Sequence, residues 1–318
     1  MRFNSDQIQK IGKEISNKVD GKTLFDEFSR GRYSTDASVY QIKPLGVVLP
    51  KDTNDVLSLM EYSQKNSVPL LARGGGSSQC GQTVGESVVL DYSKHQNKIL
   101  ELNVEEKYVW VQPGVVLDHL NTYLKPHGLW FPVDVSTSSR ATIGGMSANN
   151  SCGSRSLYYG NMVHNVLAIE AILDDGSIFN FDQINKNYLA TKNNQDRLYK
   201  IIDKFIDVRQ QVGGEIDANW PTTQRRVGGY NIDLIDPEGF NSSNLLVGSE
   251  GTLSLFNKIK LKLSKIPKNK ILGVCYFDNF HQARELSKEI VKLKPTCVEL
   301  MDQNLLNCLL YTSDAADE

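Results

Sequence analysis

No two of the five cysteines stand in a CxxC pair; Cys80, Cys152, Cys275, Cys297 and Cys308 are scattered along the chain. That spacing argues against a disulfide framework and against zinc or iron–sulfur ligation within these residues, and it suits a reduced, cytoplasmic setting. Charge of one sign is also lacking: 35 Lys and Arg stand against 37 Asp and Glu, for a net charge of −2. A chain so balanced gives no electrostatic case for nucleic acid as a partner. No apolar run reaches the length of a bilayer span, and Met1 is not followed by the apolar stretch of a signal peptide. The five histidines, His95, His119, His127, His164 and His281, form no metal-ligand pair, so no metal site is expected here. No internal repeat is visible.

Patterning supplies the elements. Residues 45–49 are an apolar run bracketed by prolines and read as a strand. Residues 52–67 read as a helix that Asp52 or Thr53 can cap, with Val56, Leu57, Leu59 and Met60 facing one way. Residues 68–72, 87–91 and 108–111 are further strands, 117–127 an amphipathic helix, and 165–173 an apolar strand closed by the turn-forming 174–176. A βαβ start followed by short β-rich pieces predicts an α+β architecture in two parts. Residues 5–30 read as a polar lead-in with a helical stretch, and a strand over 271–277 and a helix over 282–293 are expected near the end. The last ten residues, 309–318, complete no helix or strand and look like sequencing-adaptor read-through. A non-native tail, or a disordered acidic one, is expected there.

Four loop motifs carry the chemical signal. The first, Leu71-Ala72-Arg73-Gly74-Gly75-Gly76-Ser77-Ser78, directly follows a strand. Its glycines let backbone approach a ligand closely, and successive N–H groups make an anion-binding concavity. The spacing matches neither GxGxxG nor GxxxxGK[ST], and no clear helix follows, so the dinucleotide-fingerprint and Walker readings fail. Alone, it is equally well a flexible hinge. The second runs from Phe131-Pro132-Val133-Asp134 through Ser138, Thr142-Ile143-Gly144-Gly145-Met146 and Asn149 to Cys152-Gly153. Small, hydroxyl and amide residues dominate it, so it has little apolar surface to bury by itself. A large polyphosphate ligand with many acceptor oxygens would organise it; the plain alternative is a solvated loop. The third is Tyr158-Tyr159-Gly160-Asn161-Met162-Val163-His164-Asn165-Val166, leading into Ile169. The fourth is Leu246-Val247-Gly248-Ser249-Glu250-Gly251-Thr252-Leu253, with Glu250 expected to be buried among its glycines. Either of these alone would pass as a turn before a strand.

In this order the four motifs resemble the FAD-binding domain of the vanillyl-alcohol-oxidase type, also called PCMH-type, over about residues 30–252. Arg30-Gly31-Arg32-Tyr33-Ser34-Thr35-Asp36-Ala37-Ser38, Cys80-Gly81-Gln82-Thr83-Val84 and Arg225-Arg226-Val227-Gly228-Gly229-Tyr230-Asn231 look like one branch, the long FAD-linked D-lactate and 2-hydroxy-acid dehydrogenases. The resemblance implies a lead-in over 1–40 and a PCMH-type two-subdomain fold over 41–265, divided at about 105. The start of an α+β cap follows over 266–308. It implies that Arg73, Gly74, Gly75, Gly76, Ser77 and Ser78 cradle the FAD pyrophosphate. Pro132, Thr142, Gly144 and Gly145 would line the flavin, with Asn149, Cys152 and Gly153 beside it. Val166 and Ile169 would flank the cofactor, and Glu250 and Gly251 would approach it from the last strand. Gln82, Thr83, Asp134, Ser138, Ile143, Tyr159 and Gly160 complete the expected cofactor set. Arg226, with Arg225 beside it, lies where an arginine gripping a substrate carboxylate is expected, and guanidinium suits that bidentate task. Two solvated arginines are the plain alternative.

Ser77 and Ser78 stand where members with covalent flavin carry a histidine, so non-covalent FAD is implied. His164 stands where an acidic residue is usual. The branch's cap histidines and iron–sulfur cysteines have no counterpart in these residues. A C-terminal truncation is therefore expected, leaving a segment that binds FAD without turning over the acid by itself. The implied reaction oxidises a small D-2-hydroxy acid, of the D-lactate, glycolate or 2-hydroxyglutarate class, to the 2-oxo acid by hydride transfer to flavin N5. Electrons would pass through the iron–sulfur region to a quinone or cytochrome, in the cytoplasm or at the inner face of the membrane. The competing readings are an FAD-dependent oxidase or reductase of sugar alcohols or cell-wall precursors, and a non-catalytic FAD-binding module.

Overall fold

The computed structural model describes residues 3–191, 196–223 and 225–314. Its first lobe is a four-stranded sheet in the order Lys22–Leu24, Gly46–Leu49, Val88–Asp91, Leu70–Arg73. The first pair is antiparallel and the other two are parallel. Parallel neighbours need a crossover, and the helix Thr53–Asn66 provides it. Asp52 caps this helix, its carboxylate accepting from the N–H groups of Asn54 and Asp55 at 2.8 and 3.3 Å. Val56, Leu59 and Met60 are buried in the first lobe's core. The strands are covered on both faces, which is why Val47, Val48, Val88, Val89 and Leu90 read as unbroken apolar runs.

The second lobe is a five-stranded antiparallel sheet in the order Ile99–Asn103, Tyr108–Val111, Leu255–Lys262, Val166–Ile172, Ile178–Phe181. Leu255–Lys262 comes last in the chain yet lies at the centre, with Ile259 opposite Val111 on one side and Ile169 on the other. The helix Leu117–Leu124 packs Leu117, Leu120 and Leu124 into the same core. A smaller core joins the helix Arg197–Asn219, through Ile202 and Ile206, to Ile184, Ile235 and Phe240. The lobes are packed together: Ile172 and Leu255 of the second sheet enter the first lobe's core, and Thr53 Oγ1 lies 2.7 Å from Asn257 Oδ1.

Four expectations are corrected. The segment before residue 40 is more than a polar lead-in. The helix Ser5–Ser16 buries Ile8, Ile11 and Ile15 in the first lobe, and Lys22–Leu24 adds a strand to its sheet. The two sheets divide between Asp91 and Ile99 rather than at about 105, because Ile99–Asn103 pairs with Tyr108–Val111. No strand forms over 271–277; Ile271, Leu272 and Tyr276 are 98%, 88% and 90% exposed. An apolar run becomes a strand only beside a partner that takes its backbone hydrogen bonds. The helix Gln303–Asp314 runs into the stretch where no element was expected, while 315–318 lie outside the described residues. Beyond 266, Ala283 is the one buried side chain among the described residues.

The N-terminal helix is therefore part of the core. Ile15→Ala, at a position with no exposure, should lower stability by about 2–5 kcal/mol. A shift of the urea midpoint measures it, and an unchanged midpoint would detach this helix from the fold.

Candidate functional site

The lobes leave a cleft between them, with a volume of about 620 Å³ including its open mouth. From the first lobe come Ala72, Arg73 and Gly74 at the end of a strand, Gln82 and Thr83 in the following loop, and Tyr92. From the second come Pro113, then Thr142, Gly144, Gly145, Ala148 and Asn149 on and around the short helix Ile143–Ala148. Glu250, Gly251, Ser254, Leu255 and Phe256 close the far side. The two glycine-rich segments, distant in sequence, touch. A Cβ on Gly74 would lie 2.0 Å from Thr142 Oγ1, and one on Gly75 would lie 2.3 Å from the Arg140 carbonyl oxygen.

The glycine loop is held from outside the cleft. Arg73 donates to the carbonyls of Thr35, Thr83 and Tyr33 at 2.8, 3.2 and 3.3 Å, and its guanidinium sits 5.3 Å from the Tyr33 ring centroid. Burial pulls the Arg73 pKa down, against the opposing pull of Asp36 and Asp91. This arginine therefore shapes the loop with its side chain and meets the cleft at the strand end. Among the described residues, no carbonyl or side chain accepts from the backbone N–H groups of residues 74–78. Gly76 alone of the three glycines has positive φ (+61°), so Gly75 is required by close approach rather than by backbone conformation. Gln82 spans the cleft mouth: it accepts from Ser78 Oγ and donates to Asn149 Oδ1 at 3.1 Å and Glu250 Oε1 at 3.3 Å.

Ten expected cofactor residues line the cleft: Arg73, Gly74, Gln82, Thr83, Thr142, Gly144, Gly145, Asn149, Glu250 and Gly251. Glu250 is exposed rather than buried, at φ +52° on the rim. Gly75, Gly76, Ser77 and Ser78 are not among the walls, nor are Pro132, Asp134, Ser138, Cys152, Gly153, Tyr159 and Gly160. Several of these have structural partners. Asp134 accepts from the N–H of Arg155 and from Ser154 Oγ, both at 3.1 Å. Tyr159 packs edge-on to Trp130 at 5.5 Å. Ser138 joins the helix Leu117–Leu124 through its carbonyl, which accepts from the Asp118 N–H at 3.2 Å. Ile143, Val166 and Ile169 are buried in the second lobe's apolar core, because their positions in helix and strand turn the side chains inward. Tyr92, Pro113, Ser254, Leu255 and Phe256 are walls that motif reading missed. They lie at or next to strand ends and carry no glycine signature.

The two candidate substrate arginines part company. Arg226 pairs with Asp233, sits 5.3 Å from the Trp220 ring centroid and donates to the Pro221 carbonyl at 3.3 Å. Its own carbonyl accepts from Asn161 and Asn150 at 3.3 and 3.4 Å. Arg225 is exposed and donates to the Gly153 carbonyl at 3.0 Å. Arg226 is thus already committed to a carboxylate of the protein, against the expectation that it waits for one from a substrate. His164, standing where an acid is usual, does an acid's local job: its Nδ1 accepts from the Asn161 N–H at 3.0 Å.

Residues 44–182 match the family of the FAD binding domain. That segment is similar to an FAD binding domain. The chain is 34% identical over 287 residues to the D-2-hydroxyglutarate dehydrogenase of Haemophilus influenzae, covering 86% of this chain and 28% of the relative. It is also 34% identical over 297 residues to the enzyme of that name from Escherichia coli, covering 90% and 29%. The chain therefore spans less than a third of the length of these relatives. Among solved structures, an alkyldihydroxyacetonephosphate synthase superposes with a TM-score of 0.63 at 18% identity, over 91% of this chain and 47% of that one. The fold is the PCMH-type one. The site suits the cofactor on two counts: the N–H groups of the 74–78 loop beside the cleft, which have no protein acceptor among the described residues, match phosphate oxygens, and the apolar walls match an aromatic ring. Among the described residues, no cluster of His, Cys, Asp or Glu could hold a metal ion, and no helix is long and apolar enough to cross a membrane.

In the FAD binding domain, Gly75→Val would drive its side chain into the Arg140 carbonyl and push the loop out of place. The purified variant should stay soluble and lose its flavin, read as the ratio of flavin to protein absorbance. Wild-type flavin content would show that this loop does not hold the phosphates.

Proposed function

We propose that this chain is the FAD-binding part of an oxidoreductase that oxidises a small D-2-hydroxy acid to the 2-oxo acid. The observation that carries the reading is the cleft, whose apolar walls lie beside a glycine loop with open N–H groups, in a chain similar to dehydrogenases of that substrate class. Bound in this cleft without a covalent link, FAD would supply the hydride acceptor. The loop 74–78 would hold its phosphates, and Thr142, Gly144 and Gly145 would present backbone to its ring system. Gln82, bridging Asn149 and Glu250, would close the mouth over it and limit the entry of water.

The carboxylate-binding role moves from Arg226 to Arg225. Arg225 is anchored on Gly153, four residues along the loop from the wall residue Asn149, and its guanidinium is exposed. Arg226 would act as a post that holds the loop by its ion pair. Beyond this chain's residues, the reading takes a quinone or a cytochrome as electron acceptor. It places the protein in the cytoplasm or at the inner face of the membrane.

The test uses the protein at its full natural length. Anaerobic addition of D-2-hydroxyglutarate or D-lactate should bleach the flavin bands, and bleaching by neither, nor by glycolate, would overturn the reading. Arg225→Ala removes a charge-assisted bond worth about 1.5–3 kcal/mol, so KM for the acid should rise roughly ten- to hundredfold. Arg226→Ala should instead lower the Tm, because it strands the Asp233 carboxylate. A KM effect confined to Arg226→Ala would return the carboxylate role to that residue.

A further inference from the structure

Two residues that line the cleft carry buried hydroxyls with no partner among the described residues. Tyr92 follows the strand Val88–Asp91 of the first lobe, and Ser254 precedes the strand Leu255–Lys262 of the second. The residues are 5% and 8% exposed, and neither Tyr92 Oη nor Ser254 Oγ makes a hydrogen bond. Both residues line the cleft. Tyr92 is held rigidly by its backbone. Its N–H donates to the Arg73 carbonyl at 3.0 Å, and its carbonyl lies so close to Gly114 that a Cβ there would come within 2.1 Å. Burial pushes the Tyr92 pKa well up, so the phenol keeps its proton as a donor.

Around these hydroxyls the walls are apolar: Ala72, Pro113, Ala148, Leu255 and Phe256. A buried hydroxyl without a partner destabilises the fold. Two of them sit on residues that line one cavity, one from each lobe. The open N–H groups of 74–78 can satisfy phosphate oxygens, so the apolar part of the cleft is left for something flat. A heteroaromatic ring fits that slot, and its edge carries nitrogens and carbonyls that need hydrogen bonds once water is gone. A hydroxyl both donates and accepts, so it can serve either kind of edge atom.

We infer that Tyr92 and Ser254 bind the polar edge of a heteroaromatic ring, gripping it from the first and second lobes at once. This rests on reading the cleft as the FAD site. FAD offers two such rings, adenine and isoalloxazine, and the chemistry here is common to both.

The test removes one oxygen at a time with Tyr92→Phe and Ser254→Ala, in apoprotein and in protein titrated with FAD. Loss of an orphan hydroxyl should leave the apoprotein Tm unchanged or raise it. The same change should weaken FAD binding about three- to thirtyfold for each variant, read by flavin fluorescence. Parallel titrations with ADP and with FMN assign the ring: weakening for ADP alone identifies adenine, and for FMN alone isoalloxazine. Unchanged affinity of both variants for FAD, while wild type binds it, overturns this assignment and leaves the cofactor reading intact. So does a fall in apoprotein Tm with unchanged affinity, which would make the hydroxyls elements of the fold. Failure of wild type to bind FAD overturns both.

Discussion

Gly74 and Gly75 have no room for a side chain, because the Thr142 side chain lies against the first and the Arg140 backbone against the second. Thr142 Oγ1 and the Arg140 carbonyl oxygen occupy the space a Cβ would need. Packed interiors do not absorb such overlaps without moving backbone. The spacing of the lobes, and with it the width of the cleft, is set at this contact. A second approach works the same way one step deeper: a Cβ on Gly144 would lie 2.5 Å from Pro113 Cβ and 2.9 Å from the Pro113 carbonyl oxygen. The Gly144 N–H donates to that same carbonyl at 2.7 Å. The short helix Ile143–Ala148 thereby spends its first N–H groups on the protein. The donors left open belong to the glycine loop, where no acceptor among the described residues takes the N–H groups of 74–78.

The polar run after residue 131 invites the thought that only a ligand could organise it. The structure shows a different organiser. Asn150 accepts from the Val163 N–H at 3.0 Å and reaches the Arg226 carbonyl. Asn165 donates to the carbonyls of Tyr159 and Asn161 at 2.8 and 2.9 Å, and Asn231 donates to those of Val247 and Asn244 at 2.7 and 3.2 Å. Irregular backbone, once buried, must find partners without a ladder. An asparagine brings two donors and an acceptor on a short stem, so a few of them stand in for a strand. The protein's own groups hold these loops, which suits a site that binds by preorganised contacts.

What could be read from residues was largely what repeats or caps. The helix Thr53–Asn66 was legible from Asp52 and its apolar stripe, and Tyr108–Val111 and Val166–Ile172 from their apolar character. The helix Arg197–Asn219 carried the same kind of signal, a capping Asp196 and then Leu198, Ile202 and Ile206, although no element was assigned there. Glycine-rich walls were legible because glycine marks close approach. Pro113, Leu255 and Phe256 were not, since a wall residue at a strand end looks like any core residue until the topology brings the ends together. Glu250 misled for a related reason. Glycines on either side suggested an enclosed carboxylate, whereas the turn carries it outward to the rim, where Gln82 meets it.

Arg225 and Arg226 show how far adjacency in sequence falls short of equivalence in space. Consecutive side chains outside a helix project in different directions. Here one reaches the surface and the Gly153 carbonyl, and the other turns in to Asp233 and Trp220. A guanidinium already paired with a carboxylate gains little from a second one unless the first is displaced. Displacement would leave Asp233 charged in a place where its Oδ1 already lacks a partner, and stranding a buried charge costs more than forming an exposed pair returns. The inward arginine is thus fixed by the fold, and its carbonyl, held by Asn150 and Asn161, fixes the loop that carries its neighbour. Of the two guanidiniums, that of Arg225 is the one left at the surface.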